Sequence, residues 1–542
     1  MASLLSSFSS SLANLASWRF PFLKPGLAKP RPPGKSTAAH PAPRGMHFLG
    51  IEIGHAATRV VALDLEAASV TAESVAAHAW VEGLPDGYRE QDPASWIAAA
   101  DQAMRQCLAA LGDARGSVAG IGVTAPSGGM VVLDGSNRIV RPAKLGSDRS
   151  AQRQADEIAR AFGGAPGLIE LAGNPVEAGS LAAQCLWLKQ HEPYHFQRAE
   201  RLMTPQDFIG YWLTGEAGIE AGSAATSGLF NVPQRRWSAE LLEFIDSRLF
   251  DMLPPGISPS QPRGQLRPAL CRAWGLPEGV IVAPGSGAAA LSALAVGAAS
   301  DGAVVADLSA DGALSAVSDK PAVDFRGEAA TLCDASGRWL SRLGMSNAVA
   351  ALELVRRHYG WSGAEFEQAL ESTPAGSDGL LFLPYLRGEA TPRLPEATGV
   401  LHGITLDNFT PGNLARAAAE GLALGFGYGF SRLRDLGFEP AGVRVARDAG
   451  PAFQQLLADV FGVPVVAVAG SGGPLLGAAM QAAVVYFRLN GESLGFDEIA
   501  GYIVTVDDAT RRDPDPQRHD FYQDLLARQQ YLVETLHAGG FL

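Results

Sequence analysis

Short apolar segments, most of them ending at a glycine, recur in both halves of this 542-residue chain. In the first half HFLGIEIG starts at His47 and VAGIGVTA at Val118, and in the second half VIVAPGSG starts at Val280 and GAVVADLSADG at Gly302. A short continuous apolar run bounded by a turn residue is typical of a buried strand. Two such β-first halves predict a duplicated fold in two lobes, with the boundary near Gly297.

Helical patterns separate these strands. QDPASWIAAADQAMRQCLAAL has helical apolar spacing behind an Asp-Pro start at Asp92, and a long helical segment runs from Asn413. The segment VRVARDAG at Val443 reads as a strand and leads into the helical PAFQQLLADVFG at Pro451. Strands that alternate with helices in this way predict the α/β class.

The composition excludes several partners. A formal charge of −13 argues against nucleic acid and anionic membranes, because phosphate binding relies on concentrated Lys and Arg. No apolar run approaches the ~18–20 residues that span a bilayer, and the four cysteines lack metal-site or redox spacing. We therefore expect a soluble protein of a cytosol-like compartment that binds small molecules or proteins.

The first 45 residues differ from the rest of the chain. They are rich in Ser and Pro, contain no Asp or Glu, and carry six Lys or Arg residues. This composition is typical of a transit peptide to a plastid or mitochondrion. A disordered basic leader, or a cytoplasmic protein that begins near Met46, explains the segment equally well.

Several ordered motifs lie between about Phe48 and Ala483. EQDPASW, a helix start, begins at Glu90, the segment LWLKQHEP at Leu186, LTGEAGIEAGSAATSGLFNVPQRRW at Leu213 and FLPYLRGEATP at Phe382, and GVLHGIT, NLARAAAEG and GGPLLGAAMQAA follow. Together these motifs resemble the FGGY family of carbohydrate kinases, and within it xylulokinase.

The resemblance implies a two-lobed actin-like ATPase (ribonuclease H-like) fold. It places a sugar-side domain at 46–297, a nucleotide-side domain at 298–486 and a C-terminal helical tail at 487–542. It also implies a transferase that uses ATP and Mg²⁺ to phosphorylate a ketose such as D-xylulose. Because one fold carries many activities, a catalytically inactive protein that binds a sugar or a protein partner stays an alternative, and a homodimer stays open.

The resemblance assigns the metal and the catalytic base to two positions of the first lobe. Glu52, followed by Gly54, stands where the family has an Asp before Gly-Thr-Ser, and a carboxylate there could reach hydrated Mg²⁺. The alternatives are a half-buried strand-end carboxylate at Glu52 and a solvated turn residue at His55. The general base falls on Ala288, which cannot accept a proton.

The phosphate-binding turns of the second lobe are changed as well. Ser309 to Gly312 stands in place of Gly-Thr-Ser-Gly, and Asp311 would repel a triphosphate unless a cation intervenes. Asp311 is either a replacement metal ligand or a residue that stabilises the turn. A Gly-Gly-Gly turn is replaced by Val445 to Asp448. Arg447 would there contact a phosphate or pair with Asp448.

The sugar side of the resemblance falls on Ser127, Gly128 and Asp148. Ser127 and Gly128 replace a Met-His pair, and Gly146 replaces a Trp, so that we expect these small residues to leave the sugar pocket open. Asp148 stands at the position of a sugar-binding carboxylate. Its alternative role is to cap the helix of SDRSAQRQ.

Overall fold

A computed structural model describes residues 45–309, 312–446, 450–469 and 473–542. The leader 1–44 and the predicted site residues Asp311 and Arg447 lie outside these described residues. Within the described ranges, no helix is both long enough and apolar enough to cross a membrane.

The chain alternates short strands with helices. The strands are β1 His47–Ile53, β2 Ala57–Asp64, β3 Ser69–Ala77, β4 Glu90–Gln91, β5 Val118–Ala125, β6 Val131–Leu133, β7 Ala143–Lys144, β8 Arg201–Met203, β9 Ile219–Glu220, β10 Phe230–Asn231, β11 Arg236–Trp237, β12 Gly256–Ile257, β13 Gly264–Gln265, β14 Ile281–Val282, β15 Ser286–Gly287, β16 Val304–Asp307, β17 Gly312–Ser318, β18 Ala329–Cys333, β19 Trp339–Met345, β20 Leu381–Leu383, β21 Val400–His402, β22 Val443–Ala446, β23 Val465–Ala469 and β24 Thr505–Val506.

The helices cover the sheets that these strands form. They are α1 Pro93–Leu111, α2 Gln152–Ala161, α3 Gly164–Ala172, α4 Leu181–His191, α5 Pro193–Arg198, α6 Pro205–Thr214, α7 Ala221–Ala224, α8 Ala239–Ile245, α9 Leu249–Met252, α10 Pro268–Trp274, α11 Ala288–Ala295, α12 Ala350–Tyr359, α13 Gly363–Ser372, α14 Pro411–Asp435, α15 Pro451–Phe461, α16 Gly473–Leu489, α17 Phe496–Ile503 and α18 Pro516–Ala538.

The chain divides into two compact units. Unit 1 comprises residues 1–295, 332–338 and 472–503. Its main sheet has the order β13–β14–β5–β1–β2–β3, with β15 also paired to β5. The strands β1, β2 and β3 run antiparallel, whereas β5 runs parallel to β1, β14 and β15. The carboxyl ends of the parallel strands therefore meet at one edge of this sheet.

Unit 2 comprises residues 296–331, 339–471 and 504–542. Its sheet has the order β18–β19–β17–β16–β22–β23–β24. As in unit 1, an antiparallel group is followed by parallel pairs, here β16 with β22 and β22 with β23, and by an antiparallel edge strand. The two sheets thus repeat one topology, which agrees with the duplicated fold that the sequence predicts.

Two glycines let a helix approach the sheet of unit 1. A side chain at Gly50 would lie 2.1 Å from the Leu475 carbonyl oxygen, and one at Gly122 would lie 1.9 Å from the Ala478 carbonyl oxygen. Because both distances are far shorter than an ordinary contact, only glycine permits α16 to pack on β1 and β5. The packing of α16 on β1 and β5 fixes the edge of the sheet at which the carboxyl ends of these two strands lie.

The sequence predictions of β1, β5, α1, α14 and α15 are confirmed. Asp92 caps α1 by accepting a hydrogen bond from the Ala94 amide, with Pro93 at the first helical position. The predicted strand VIVAPGSG differs, because it is divided into β14 and β15. Pro284 lies between the two pieces and has no N–H to donate to a neighbouring strand.

The domain limits predicted from the sequence stay predictions beside these units. Unit 2 begins at Val296, next to the predicted boundary at Gly297. The predicted tail 487–542 is shared, because α17 belongs to unit 1 and α18 to unit 2. Tyr522 of α18 is fully buried and donates a hydrogen bond to Glu420, so that α18 forms part of the core of unit 2.

Candidate functional site

The strand register of unit 1 brings two predicted site positions together. Glu52 of β1 and Ser286 of β15 are both registered with Thr124 of β5, one on each side. Neighbouring strands lie about 4.8 Å apart, so the backbones of Glu52 and Ser286 are separated by about 10 Å. Ala288 follows Ser286 by two residues. We call residues 52–57, 124–129 and 284–289 the carboxyl edge of unit 1.

Glu52 is a mostly buried carboxylate with one cationic neighbour. Its side chain is 16% exposed, and a guanidinium nitrogen of Arg59 lies 3.8 Å from its Oε2. Arg59 also forms a 3.0 Å ion pair with Glu73. Burial raises the pKa of Glu52, although Arg59 and His55 act in the opposite direction. These contacts agree with the strand-end alternative, and the metal role of Glu52 stays a prediction.

In the turn after β1, the first amide forms a hydrogen bond within the turn. The Gly54 amide donates to the Ala57 carbonyl at 2.9 Å, so it is not free to donate to a ligand. His55 and Ala56 at the tip are exposed. The Gln91 amide holds the His55 carbonyl at 2.7 Å, and the Trp80 ring lies nearly parallel to the imidazole with the ring centroids 6.5 Å apart.

The predicted base position opens a helix without a polar side chain. Ala288 is the first residue of α11 and is half-buried. A side chain at the preceding Gly287 would lie 3.4 Å from Ser127 Oγ, so the exposed Ser127 lies beside this position. The structure therefore brings Ser127 and Ala288 together at the carboxyl edge.

A buried glutamate is hydrogen-bonded to Ser286, two residues before Ala288, and the sequence did not single it out. Glu220 is fully buried and accepts hydrogen bonds from Ser286 Oγ at 2.7 Å and from the Gly222 amide at 2.8 Å. Burial first, and nearby Asp334 in addition, raise the pKa of Glu220 to about 8. Glu220 is the second of two glutamates in the motif that starts at Leu213, and its place in that motif is the one signal that could have marked it.

Backbone segments approach two glycines of the predicted sugar pocket closely. A side chain at Gly146 would lie 1.9 Å from the Ser127 carbonyl oxygen, and one at Gly128 would lie 2.6 Å from the Gly179 carbonyl oxygen. These two glycines permit two chain segments to touch. The expectation that Ser127, Gly128 and Gly146 leave the sugar pocket open stays a prediction.

Asp148 is fully buried and its carboxylate is already hydrogen-bonded. The Arg89 amide donates to Oδ2 at 2.7 Å, and the Ser150 amide donates to Oδ1 at 2.9 Å. Lys144 Nζ lies 3.5 Å from Oδ2. These contacts hold the turn that precedes α2. The capping alternative is wrong, because the N-cap residue of α2 is Ala151 and no side chain caps the helix. Sugar binding by Asp148 stays a prediction.

Lys144 itself is an unexpected buried cation. Its side chain is fully buried, forms a 2.8 Å ion pair with Glu90, and lies 3.9 Å from the centre of the Trp187 ring. Arg141 donates to both oxygens of Glu90 at 2.8 Å. Because a buried charge requires such partners, this network fixes the segment that carries Gly146 and Asp148.

The predicted phosphate residues of unit 2 are described only in part. Ser309 is exposed, and its amide donates to Asp307 Oδ1 at 2.9 Å. Gly312 is buried at the start of β17, where a side chain would lie 2.3 Å from the Ala348 methyl group. Asp311 and Arg447 lie outside the described residues, and their roles stay predictions.

The described residues contain no group of three or more His, Cys, Asp or Glu side chains that could hold a metal ion. Mg²⁺ often keeps several waters and takes only one or two carboxylates together with substrate phosphates. Glu52 alone therefore fits a hydrated, phosphate-bound Mg²⁺, whereas a dedicated protein cage is absent from the described part of the chain.

The chain matches the models of both domains of one family. Residues 47–295 match the N-terminal domain of the FGGY family of carbohydrate kinases, and residues 306–486 match its C-terminal domain. The xylulose kinase of Haemophilus influenzae is 28% identical over 90% of this chain and 99% of its own length. The xylulose kinase of Klebsiella pneumoniae is 31% identical over 81% and 89%. The structure of the xylulose kinase of Rhodospirillum rubrum is 26% identical with a TM-score of 0.82, covering 91% of this chain and 99% of that one. These matches confirm the predicted family and the predicted actin-like α/β fold.

Proposed function

Because the chain belongs to the FGGY family of carbohydrate kinases, we propose that it transfers the γ-phosphoryl group of ATP to a hydroxyl of a ketose such as D-xylulose. The similarity to xylulose kinases over nearly their whole length is the observation that supports this substrate class most directly. We also propose the division of labour that the family implies, with 46–297 on the sugar side and 298–486 on the nucleotide side.

ATP with Mg²⁺ would supply the phosphoryl group and neutralise its charge. From this chain, Glu52 would hold water of a hydrated Mg²⁺, and Ser309 would contribute an exposed hydroxyl near the phosphates. Ala288 offers no proton acceptor at the head of α11. Positioning and electrostatic stabilisation carry most of phosphoryl transfer, so that turnover without this base is expected to be slow.

Ala288 also favours a second candidate function. A general base typically contributes about 10²–10⁴ in rate, and its loss together with the changed turns at Gly54 and Ser309 supports a protein that binds a sugar or a protein partner without turnover. The two candidates share the fold and differ in whether ADP is released.

A coupled ADP-release assay with Mg²⁺, ATP and a panel of ketoses and polyols separates the two candidates. The first candidate predicts sugar-dependent ADP release that is largest with a ketose and that requires both Mg²⁺ and ATP. Calorimetric binding of a ketose without ADP release, after prolonged incubation at high enzyme concentration, would contradict it and support the second.

A further inference from the structure

A cavity of about 460 Å³ opens on the surface of unit 1. Its walls come from the end of α2, from α3, from the β10–β11 hairpin and from the start of α8, and none of its lining residues belongs to the carboxyl edge. Sites for small molecules usually have volumes of about 300–1,000 Å³. We call this cavity the hairpin cavity, and the lining residues that matter here are Phe162, Glu170, Gln234, Arg236 and Glu240.

The hairpin that forms one wall is fixed before any ligand arrives. The rings of Phe230 and Trp237 are buried and pack edge to face with their centroids 5.5 Å apart. Asn231 Nδ2 donates to the Leu171 carbonyl on α3 at 2.6 Å, and Asn231 Oδ1 accepts from the Gln234 amide at 2.9 Å. Because a ligand does not have to order these walls, binding does not lose free energy in doing so.

Arg236 offers two free nitrogens to the hairpin cavity. Its side chain is exposed, and its Nε donates to Gln234 Oε1 at 2.6 Å. Neither terminal nitrogen has a hydrogen-bond or ion-pair partner among the described residues. Since the bond to Gln234 holds the guanidinium in one orientation, the terminal nitrogens can donate two parallel hydrogen bonds to a carboxylate.

Two carboxylates line the same cavity without pairing to this guanidinium. Glu170 is exposed and forms no hydrogen bond or ion pair with any residue that the structure describes. Glu240 Oε2 accepts from Ser238 Oγ at 2.9 Å, which leaves Oε1 available. No nitrogen of Arg236 lies within 4.0 Å of either carboxylate. The three charges are therefore too far apart to neutralise one another directly, and a ligand between them can contact all three.

The charge of the lining selects the class of ligand. One positive and two negative side chains give the hairpin cavity a net charge of about −1, and its other lining residues are uncharged. A complementary ligand carries one carboxylate and two cationic groups, whereas a phosphate ester would bring further negative charge. The half-buried ring of Phe162 adds apolar surface for methylene groups and a face for a cation.

We propose that the hairpin cavity binds a free basic α-amino acid of the lysine or arginine type. The α-carboxylate lies on Arg236, and the α-ammonium and the side-chain cation lie on Glu170 and Glu240. The ligand is bound without being converted, and the proposal does not rest on the proposed phosphoryl transfer.

Saturation-transfer difference NMR titrations of L-lysine and L-arginine onto the full chain at neutral pH and low ionic strength test the site. We expect a dissociation constant of about 1 mM, because exposed ion pairs are individually weak. L-Norleucine lacks the side-chain cation, and cadaverine and agmatine lack the carboxylate. Each of these three is expected to bind about fivefold more weakly than the corresponding amino acid, and added salt should weaken all of them.

Matched variants assign each charge to its partner. Arg236→Gln should weaken L-lysine about fivefold and should not weaken cadaverine, which has no carboxylate for this guanidinium. Glu170→Gln should weaken both ligands. Arg272→Gln on α10 and Glu278→Gln change exposed charges of unit 1 outside the cavity and should leave binding unchanged. Urea unfolding of each variant is expected to match the original chain, since all four positions are exposed.

Three results would overturn the inference. The first is the absence of a saturation-transfer signal for both amino acids at concentrations far above the expected constant. The second is equal binding of L-lysine by Arg236→Gln, Glu170→Gln and the original chain. The third is displacement of L-lysine by D-xylulose, which would place the amino acid in the sugar pocket instead. Binding that is lost in the cavity variants, kept in the two controls and indifferent to D-xylulose would support a separate amino-acid site, whatever the outcome of the ADP-release assay.

Discussion

Replacing the buried Glu220 by Gln should stabilise the protein at neutral and alkaline pH. Glu220 is fully buried, and its pKa is raised from 4.5 to about 8 by burial first and by Asp334 in addition, against the opposing hydrogen bonds from Ser286 and Gly222. Between these two values the folded chain keeps a proton that the unfolded chain releases. The free energy of unfolding must therefore fall as pH rises from about 4.5 to 8.

The size of the effect follows from the two values. At about 1.4 kcal/mol per pKa unit, Glu220 lowers the free energy of unfolding by roughly 5 kcal/mol above pH 8 relative to pH 4. Gln keeps an acceptor for Ser286 Oγ and the Gly222 amide but cannot ionise. The NH2 group of Gln would take the place of Glu220 Oε1, which has no hydrogen-bond partner among the described residues. Leaving this buried donor unpaired costs about 1–3 kcal/mol of stability. The net gain at pH 8 is then about 2–4 kcal/mol.

Urea unfolding followed by tryptophan fluorescence at several pH values between 5 and 9 measures this gain. Most of the chain's tryptophans lie in unit 1, which contains Glu220. Glu216→Gln, a change at an exposed glutamate of the same motif, serves as the control and should leave the pH profile unchanged. If Glu220→Gln and the original chain lose stability equally between pH 5 and 8, the raised pKa and its cause in burial are refuted.

Three further changes test the packing and the chemistry of unit 1. Gly146→Ala should lower the free energy of unfolding by about 2–4 kcal/mol, because its methyl group would lie 1.9 Å from a carbonyl oxygen; urea unfolding checks this against Gly116→Ala, where the added group meets no atom within 4 Å. Lys144→Met should lower the free energy of unfolding by about 3–5 kcal/mol, because it leaves Glu90 and Asp148 with one cation fewer. Lys189→Met, at the partly exposed pair with Asp246, should lower it by under ~1 kcal/mol in the same measurement. Ala288→Asp alone should raise ketose-dependent ADP release by less than tenfold, since the turns that position the nucleotide stay changed; a rise of about 10² or more would show that the absent base is the main limit.

Patterns of neighbouring residues along the chain were sufficient to predict these strands and helices and the family. β5 and α15 were predicted at or near their observed limits, because each is a periodic apolar segment with a turn or a proline at its end. Counting from a family motif also singled out Ala288, which is the first residue of α11. Both kinds of inference use neighbours along the chain, which a sequence displays directly.

The errors and omissions concern contacts between distant segments. From the sequence alone, Gly146 suggests unfilled space in a pocket. In the fold, a side chain at Gly146 would lie 1.9 Å from the Ser127 carbonyl oxygen, so that only glycine fits there. Glu220 looks like an ordinary acidic residue, and only its hydrogen bond from Ser286, 66 positions away, shows that it is buried behind the base position. No periodicity reports such a contact, because it depends on how β15 and α7 pack.

The same burial changes the charge of the candidate site. Glu52 lies two strands from Ser286 in the sheet, Glu220 accepts a hydrogen bond from Ser286, and burial raises the pKa of both carboxyl groups. With a pKa of about 8, Glu220 keeps its proton at neutral pH, so that the surroundings of Ser286 carry less negative charge than the sequence suggests. A phosphate approaching the neighbouring carboxyl edge would therefore meet less repulsion. The loss of a carboxylate at position 288 therefore removes a proton acceptor but also removes an anion, and nucleotide binding and proton transfer are expected to respond in opposite directions when Asp is restored there.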